Sequence, residues 1–120
     1  YTLLLGKEGG VRDDWLVYKW NDNKYWIIAN AANREKVSNL LQISPLQKAI
    51  FALQGPLSET FFPPFPKKMA FLERENGLVV GGCGYTGEKG IEMFVPLEKA
   101  KEVFFSLLEK GITPCGLAAR

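Results

Sequence analysis

The chain has 120 residues, 47% hydrophobic and 23% charged, so it carries enough apolar matter for one globular domain with a core and is neither disordered nor of low complexity. Its balance of +2, with no basic cluster on one periodic face, excludes a nucleic-acid binder. No apolar run reaches membrane-spanning length and the first residues do not resemble a signal peptide, so the cytosol or an organelle matrix is the expected location and no membrane partner is expected.

Residues 1–5, YTLLL, read as a strand, and GKEGG as the turn after it. A second strand over 11–20 is followed by the turn NDNK, whose residues tolerate a left-handed backbone, and by a returning strand over 25–29. Asn30 can cap a helix over 31–41, with Val37, Leu40 and Leu41 at helical spacing. Residues 48–54, KAIFALQ, form a buried strand ended by Gly55 and Pro56, and 58–62 a short helix. The PPFP stretch cannot lie in a helix interior or a central strand, so a seam is expected there, giving possible halves 1–62 and 63–120.

Strands over 68–74 and 78–82 flank the turn Glu75-Asn76-Gly77, and 91–95 is a third strand. Pro96 suits a helix first turn, and Leu97, Ala100, Val103, Phe104, Leu107 and Leu108 form one apolar stripe. Gly111 ends that helix and ITPCGL makes a last strand. The order is β-β-β-α-β twice over, without a convincing sequence repeat. It predicts a single α+β domain over 1–120, built of mainly antiparallel sheets with flanking helices in two similar halves. The chain starts inside an apolar run and stops directly after PCGLAA, as a piece or a compact version of a longer protein would.

The chemistry is bounded by absences. There is no His, so the commonest general base and metal ligand are both missing. Cys83 and Cys115 show no metal-ligand spacing and read as two buried free thiols, and no metal is expected. Acid–base work falls to carboxylates, Tyr, Lys or the substrate. Asp13 and Asp14 open the second strand in GGVRDDWLVYKW, an unusual place for two poor strand formers. Strand alternation puts Asp13 with Trp15 and Val17, and Asp14 with Leu16 and Tyr18. Both faces are apolar, so one carboxylate must point into buried or half-buried space. Either the pair accepts turn N–H groups or pairs with Arg12, or one carboxylate is aimed at a ligand.

The second feature is GGCGYTGEKGIEMFVP, residues 81–96. Its glycines around Tyr85 and Thr86 mark a backbone that approaches something closely, yet the spacing matches no phosphate-binding loop. Glu92 follows between Ile91 and Met93. It is either salt-bridged to a Lys or Arg, or faces a planar donor–donor edge such as that of an amino-pyrimidinone.

In this order, GGVRDD, NAANREK, ALQGP, GYTGEKGIE and TPCGLAAR resemble the folate-binding part of the aminomethyltransferase family, the T-protein of the glycine cleavage system. The resemblance covers nearly the whole chain. It implies the T-protein type of folate-binding domain and an enzyme of one-carbon metabolism and glycine catabolism. Such an enzyme transfers a one-carbon unit from a lipoyl-bound aminomethyl group on the H-protein carrier to tetrahydrofolate, with release of ammonia. Carried over, Asp13 is catalytic, Glu92 grips the pterin edge, Arg120 contacts folate or substrate, and Tyr85 and Tyr1 line the pocket. Asp14 then serves structure. A mitochondrial matrix location would follow in a eukaryote. The resemblance also allows a non-catalytic folate-binding relative of the iron–sulfur-assembly branch, or an inactive domain. That branch carries KGCYxGQE, whereas Cys83 here stands two residues before Tyr85 and the Gln-Glu pair is absent. CGYTGE and GLAAR depart slightly from the commoner TGYTGE and GLGAR, family members are longer at both ends, and the stretch between ALQGP and GYTGE is shorter than usual.

Overall fold

Strands β1 (Thr2–Leu5), β2 (Val11–Asn21) and β3 (Lys24–Ile28) form an antiparallel sheet in that order in the computed structural model, which describes residues 1–116 and Ala118. The β2–β3 turn forms because Asn21 Oδ1 accepts the backbone N–H of Asn23 at 2.9 Å, a side-chain imitation of a backbone turn. Two irregularities interrupt β2. Leu4 faces Asp13 while Leu5 faces Val11, so Arg12 is extra, and Lys19 faces Tyr25 while Asn21 faces Lys24, so Trp20 is extra.

Burial along β2 changes phase. Asp13 and Trp15 are buried, then Tyr18, while Val17 is 41% exposed. The expectation that Val17 shares a covered face with Asp13 is corrected. An 11-residue strand twists along its length, and each face here is covered over only part of it. The helix expected over 31–41 begins as a 3-10 turn, Ala31–Asn33, and continues as α1 (Arg34–Leu41), which buries Val37.

The chain divides into two compact units, Tyr1–Leu46 and Gln47–Arg120. The proline-rich stretch therefore lies inside the second unit and is no seam. Arg74 fastens it, donating from Nη2 to the carbonyls of Pro63 and Pro64 at 3.3 and 3.2 Å, with its guanidinium over the Phe62 ring.

The second unit holds β4 (Lys48–Gln54), α2 (Ser58–Phe61), β5 (Phe71–Glu73), β6 (Val79–Gly81), β7 (Gly90–Pro96) and α3 (Leu97–Glu109). Its sheet runs β4-β7-β6-β5, antiparallel throughout, with β4 and β7 in register from Lys48 opposite Pro96 to Gln54 opposite Gly90. Ile91, Met93 and Val95 alternate onto one face of β7. They pack with Leu53, Leu78 and Val80, and against Val103 and Leu107 of α3. β5 is shorter than expected because residues 68 and 69 turn, with Met69 at φ 60°. No strand forms over the described residues of ITPCGL, where Pro114 has no N–H to give a ladder. The fold is α+β with antiparallel sheets, as expected. Its second half lacks, among the described residues, the closing strand that would match the first. No helix among these residues is long and apolar enough to cross a membrane.

Candidate functional site

Asp13 is 5% exposed. Its Oδ2 accepts the indole N–H of Trp15, two residues along the same strand face, at 2.8 Å. Its Oδ1 accepts the side-chain amides of Asn30 and Asn33 at 2.8 and 2.9 Å. The two asparagines stand at i and i+3 across the 3-10 turn, where such side chains eclipse, so both amides reach one carboxylate. Asn30 therefore makes no side-chain cap bond, contrary to the sequence expectation. Burial pushes the Asp13 carboxyl up. The hydrogen bonds from Asn30, Asn33, Trp15 and the Asp14 backbone outweigh it and hold the group at about 2, below its ordinary 3.8. No Lys or Arg among the described residues pairs with it; Arg12, the expected alternative partner, lies beside Gly6.

The adjacent Asp14 points to the other face and is exposed. The Asn30 amide also donates to Asp14 Oδ1 at 2.7 Å, so one amide links the two carboxylates. Tyr1 donates its hydroxyl to Asp14 Oδ2 at 3.0 Å. That hydrogen bond, partial desolvation and the Asp14 charge together raise the phenol above its ordinary 10.0. Tyr1, Asp14, Asn30 and Asp13 thus form one connected polar chain in the first unit.

In the second unit Glu92 is half-buried on β7, flanked across the sheet by Ala52 on one side and Gly81 on the other. Among the described residues its partner is not a Lys or Arg, as one sequence reading had it. The Cys83 thiol donates to Glu92 Oε2 at 3.2 Å, from the loop that follows β6. Tyr85 stands two residues further on and is 49% exposed. The close approach that the glycines announced is internal. A Cβ at Gly84 or Gly90 would run into the side-chain amide of Gln54. Cys83 and Cys115 are not joined in a disulfide, and Cys115 is exposed rather than buried. Arg120 lies outside the described residues. Among the described residues no His, Cys, Asp and Glu group could hold a metal ion. A shallow concavity along α1, lined by Arg34, Glu35, Ser38, Asn39 and Pro45, includes none of the expected site residues.

Sequence reasoning missed Trp15, Asn30, Asn33 and Cys83. The signal for the asparagines was the Asn-x-x-Asn spacing, which a 3-10 turn turns into a two-amide clamp.

A family model described as the GCVT N-terminal domain matches residues 1–120. An aminomethyltransferase from Aquifex aeolicus (strain VF5) is 38% identical over 130 residues, covering 100% of this chain and 37% of its own length. Among solved structures, the glycine cleavage system aminomethyltransferase T from Bartonella henselae superposes with a TM-score of 0.85 at 27% identity, over 98% of this chain and 37% of that one. The chain thus spans 37% of the length of each of these relatives.

Proposed function

This chain belongs to the GCVT N-terminal domain family, the T-protein aminomethyltransferases, and on that premise we propose that it serves tetrahydrofolate-dependent aminomethyl transfer. In this reading a one-carbon unit passes from a lipoyl-bound aminomethyl group on an H-protein carrier to tetrahydrofolate, with release of ammonia. Asp13 is the catalytic carboxylate and Glu92 the pterin contact. Tyr85, Tyr1 and Arg120 are further folate or substrate contacts.

The observation that carries the reading is the state of Asp13. A carboxylate held at about 2 by its donors is a poor proton acceptor at neutral pH but a permanent negative charge. Such a fixed anion favours a reacting centre on which positive charge develops, as it does when an amine leaves an aminomethyl carbon. Asp13 therefore acts in this proposal by charge rather than by shuttling a proton. Glu92 supports the other half. A carboxylate offers about four acceptor positions, and a thiol is a weak donor, so capacity remains for a planar edge with paired N–H groups.

Titration of the purified chain with tetrahydrofolate by calorimetry tests the proposal. Saturable one-to-one binding that is lost in Glu92→Ala is the expected result, and absence of heat in the unaltered chain would remove folate from the reading.

A further inference from the structure

The segment ALQGP contributes nothing to the function proposed above, yet its Gln54 is where the glycine-rich loop is fastened. Gln54 closes β4 opposite Gly90. Its Nε2 donates to the carbonyl of Ile91 at 3.2 Å and to that of Cys83 at 3.4 Å, and its Oε1 accepts from the Thr86 hydroxyl at 3.5 Å. Gly84 and Gly90 supply the room, since a side chain at either would collide with the amide. The next residues hold the far end of the loop. The Lys89 carbonyl accepts from Gly55 N–H at 2.9 Å and from the Ser58 hydroxyl at 3.1 Å, while Lys89 Nζ pairs with Glu59 at 2.8 Å.

We propose that Gln54 is a positioning residue for Glu92. Its bond to the Cys83 carbonyl fixes where the Cys83 thiol meets Glu92 Oε2, and its bond to Ile91 fixes the strand residue before Glu92. Its contact with Thr86 holds the loop that presents Tyr85. The task calls for an amide. Two carbonyls require donors and a hydroxyl requires an acceptor, and Asn is one methylene short of reaching them from β4. Only the expected consequence for folate rests on the reading of Glu92 as a pterin contact; the positioning itself does not.

Hydrogen exchange of the full chain, with Gln54→Leu and Gln54→Glu beside it, tests this. At neutral pH both variants are expected to exchange amides of residues 83–89 at least about tenfold faster than the unaltered chain, with residues 93–95 unchanged. The Glu variant turns lone pairs toward two carbonyls, and protonation gives it a donor again. Its loop protection, measured against the unaltered chain at the same pH, is therefore expected to recover as pH falls through about 4–5, while Gln54→Leu does not recover. Both variants are expected to bind tetrahydrofolate about tenfold more weakly at neutral pH, equivalent to about 1.4 kcal/mol.

Unchanged exchange over 83–89 or no recovery in Gln54→Glu would overturn the proposal, whereas faster exchange with unaltered affinity in both variants would uphold the role of Gln54 and remove Glu92 as a pterin contact. If the unaltered chain binds no tetrahydrofolate, the folate reading fails alone, and the exchange pattern still decides the role of Gln54. Should Gln54→Leu not fold, Thr86→Val removes the hydroxyl that donates to Gln54 Oε1 and that also accepts the Glu88 N–H at 3.4 Å. Read over 84–86, away from the Glu88 amide that loses its own bond, exchange is then expected to rise a few-fold, and no rise would count against Gln54 equally.

Discussion

Asp13 and Glu92 are both strand carboxylates among apolar neighbours, but their surroundings differ in kind. Asp13 is held by three neutral side-chain donors and a backbone N–H, which together use its acceptor positions and keep it ionised. Glu92 has, among the described residues, one side-chain donor in the weakly donating Cys83 thiol, and small neighbours on both adjacent strands. A saturated carboxylate can act on its surroundings through its charge alone. An unsaturated one can take up a ligand's donors. In the proposed function, these two acidic residues, found by the same sequence logic, divide the work, one as a fixed field and the other as a grip.

The strongest way to break that division is to neutralise Asp13 without changing its size. With lipoylated carrier and tetrahydrofolate present, Asp13→Asn is expected to lower methylene-tetrahydrofolate formation by about 10²–10³-fold, the scale of losing one preorganised electrostatic group. Affinity for tetrahydrofolate should stay within about threefold. A large loss of binding with normal turnover would exchange the two roles. Next in size is Glu92→Ala. Tetrahydrofolate at 100 times its Kd stabilises a native-only binder by about 2.7 kcal/mol, so the melting temperature of the unaltered chain should rise by several degrees on saturation. That rise should vanish in the variant. A preserved rise would show that Glu92 is not the grip.

Asn33→Ala sharpens the comparison from the other side. Removing one donor to a charged group costs about 1.5 kcal/mol or more, so the Asp13 carboxyl should titrate about one unit higher by carboxyl-carbon NMR. The sign for stability follows. The folded pKa of about 2 lies below the ordinary 3.8, so the ionised form is bound more tightly in the native state. The contribution is complete above about 3.8 and is lost as pH falls through about 2. In Asn33→Ala only the folded value moves, so the contribution should be smaller and its loss should end at higher pH. An unmoved midpoint would mean that the amide clamp does not hold the charge.

Much of this arrangement could be read from the chain itself, and the rest could not for stated physical reasons. The NDNK hairpin, the strand β4 and the amphipathic α3 follow from local turn chemistry and periodicity, but β4 is not the buried strand expected: it buries Leu53 and leaves Ile50 exposed. Asp13 and Glu92 stood out because a carboxylate beside large apolar residues needs a partner. The identity of those partners was hidden. Asn30 before a helical pattern reads as a cap, and only the 3-10 geometry sends its amide to β2 instead. The phase change along β2 needs knowledge of what covers each face, which alternation alone does not carry. The glycines of the loop announced a close approach, but Gln54 as the approaching group depends on the β4–β7 register. Over the described residues of the expected strand 112–117 none forms, because Pro114 outweighs a weak apolar pattern.

The smallest expected effect concerns the pair Asp13 and Asp14 themselves. They are adjacent and share the Asn30 amide, but Asp14 is exposed and its other side-chain partner is the exposed Tyr1 hydroxyl. Exposed partners of this sort contribute little, so Asp14→Asn should leave the melting temperature within about 2 °C. The Tyr1 phenol should meanwhile return toward its ordinary 10.0, because the acceptor of its proton and the opposing charge are both removed. Asp13 should then titrate where it did before, since Asn30, Asn33 and Trp15 remain in place to donate. If Asp14→Asn moves Asp13 as far as Asn33→Ala does, the two carboxylates titrate as one unit through Asn30. Asp13 would then be half of a coupled pair, and its fixed charge would depend on the exposed face of β2 as much as on the buried one.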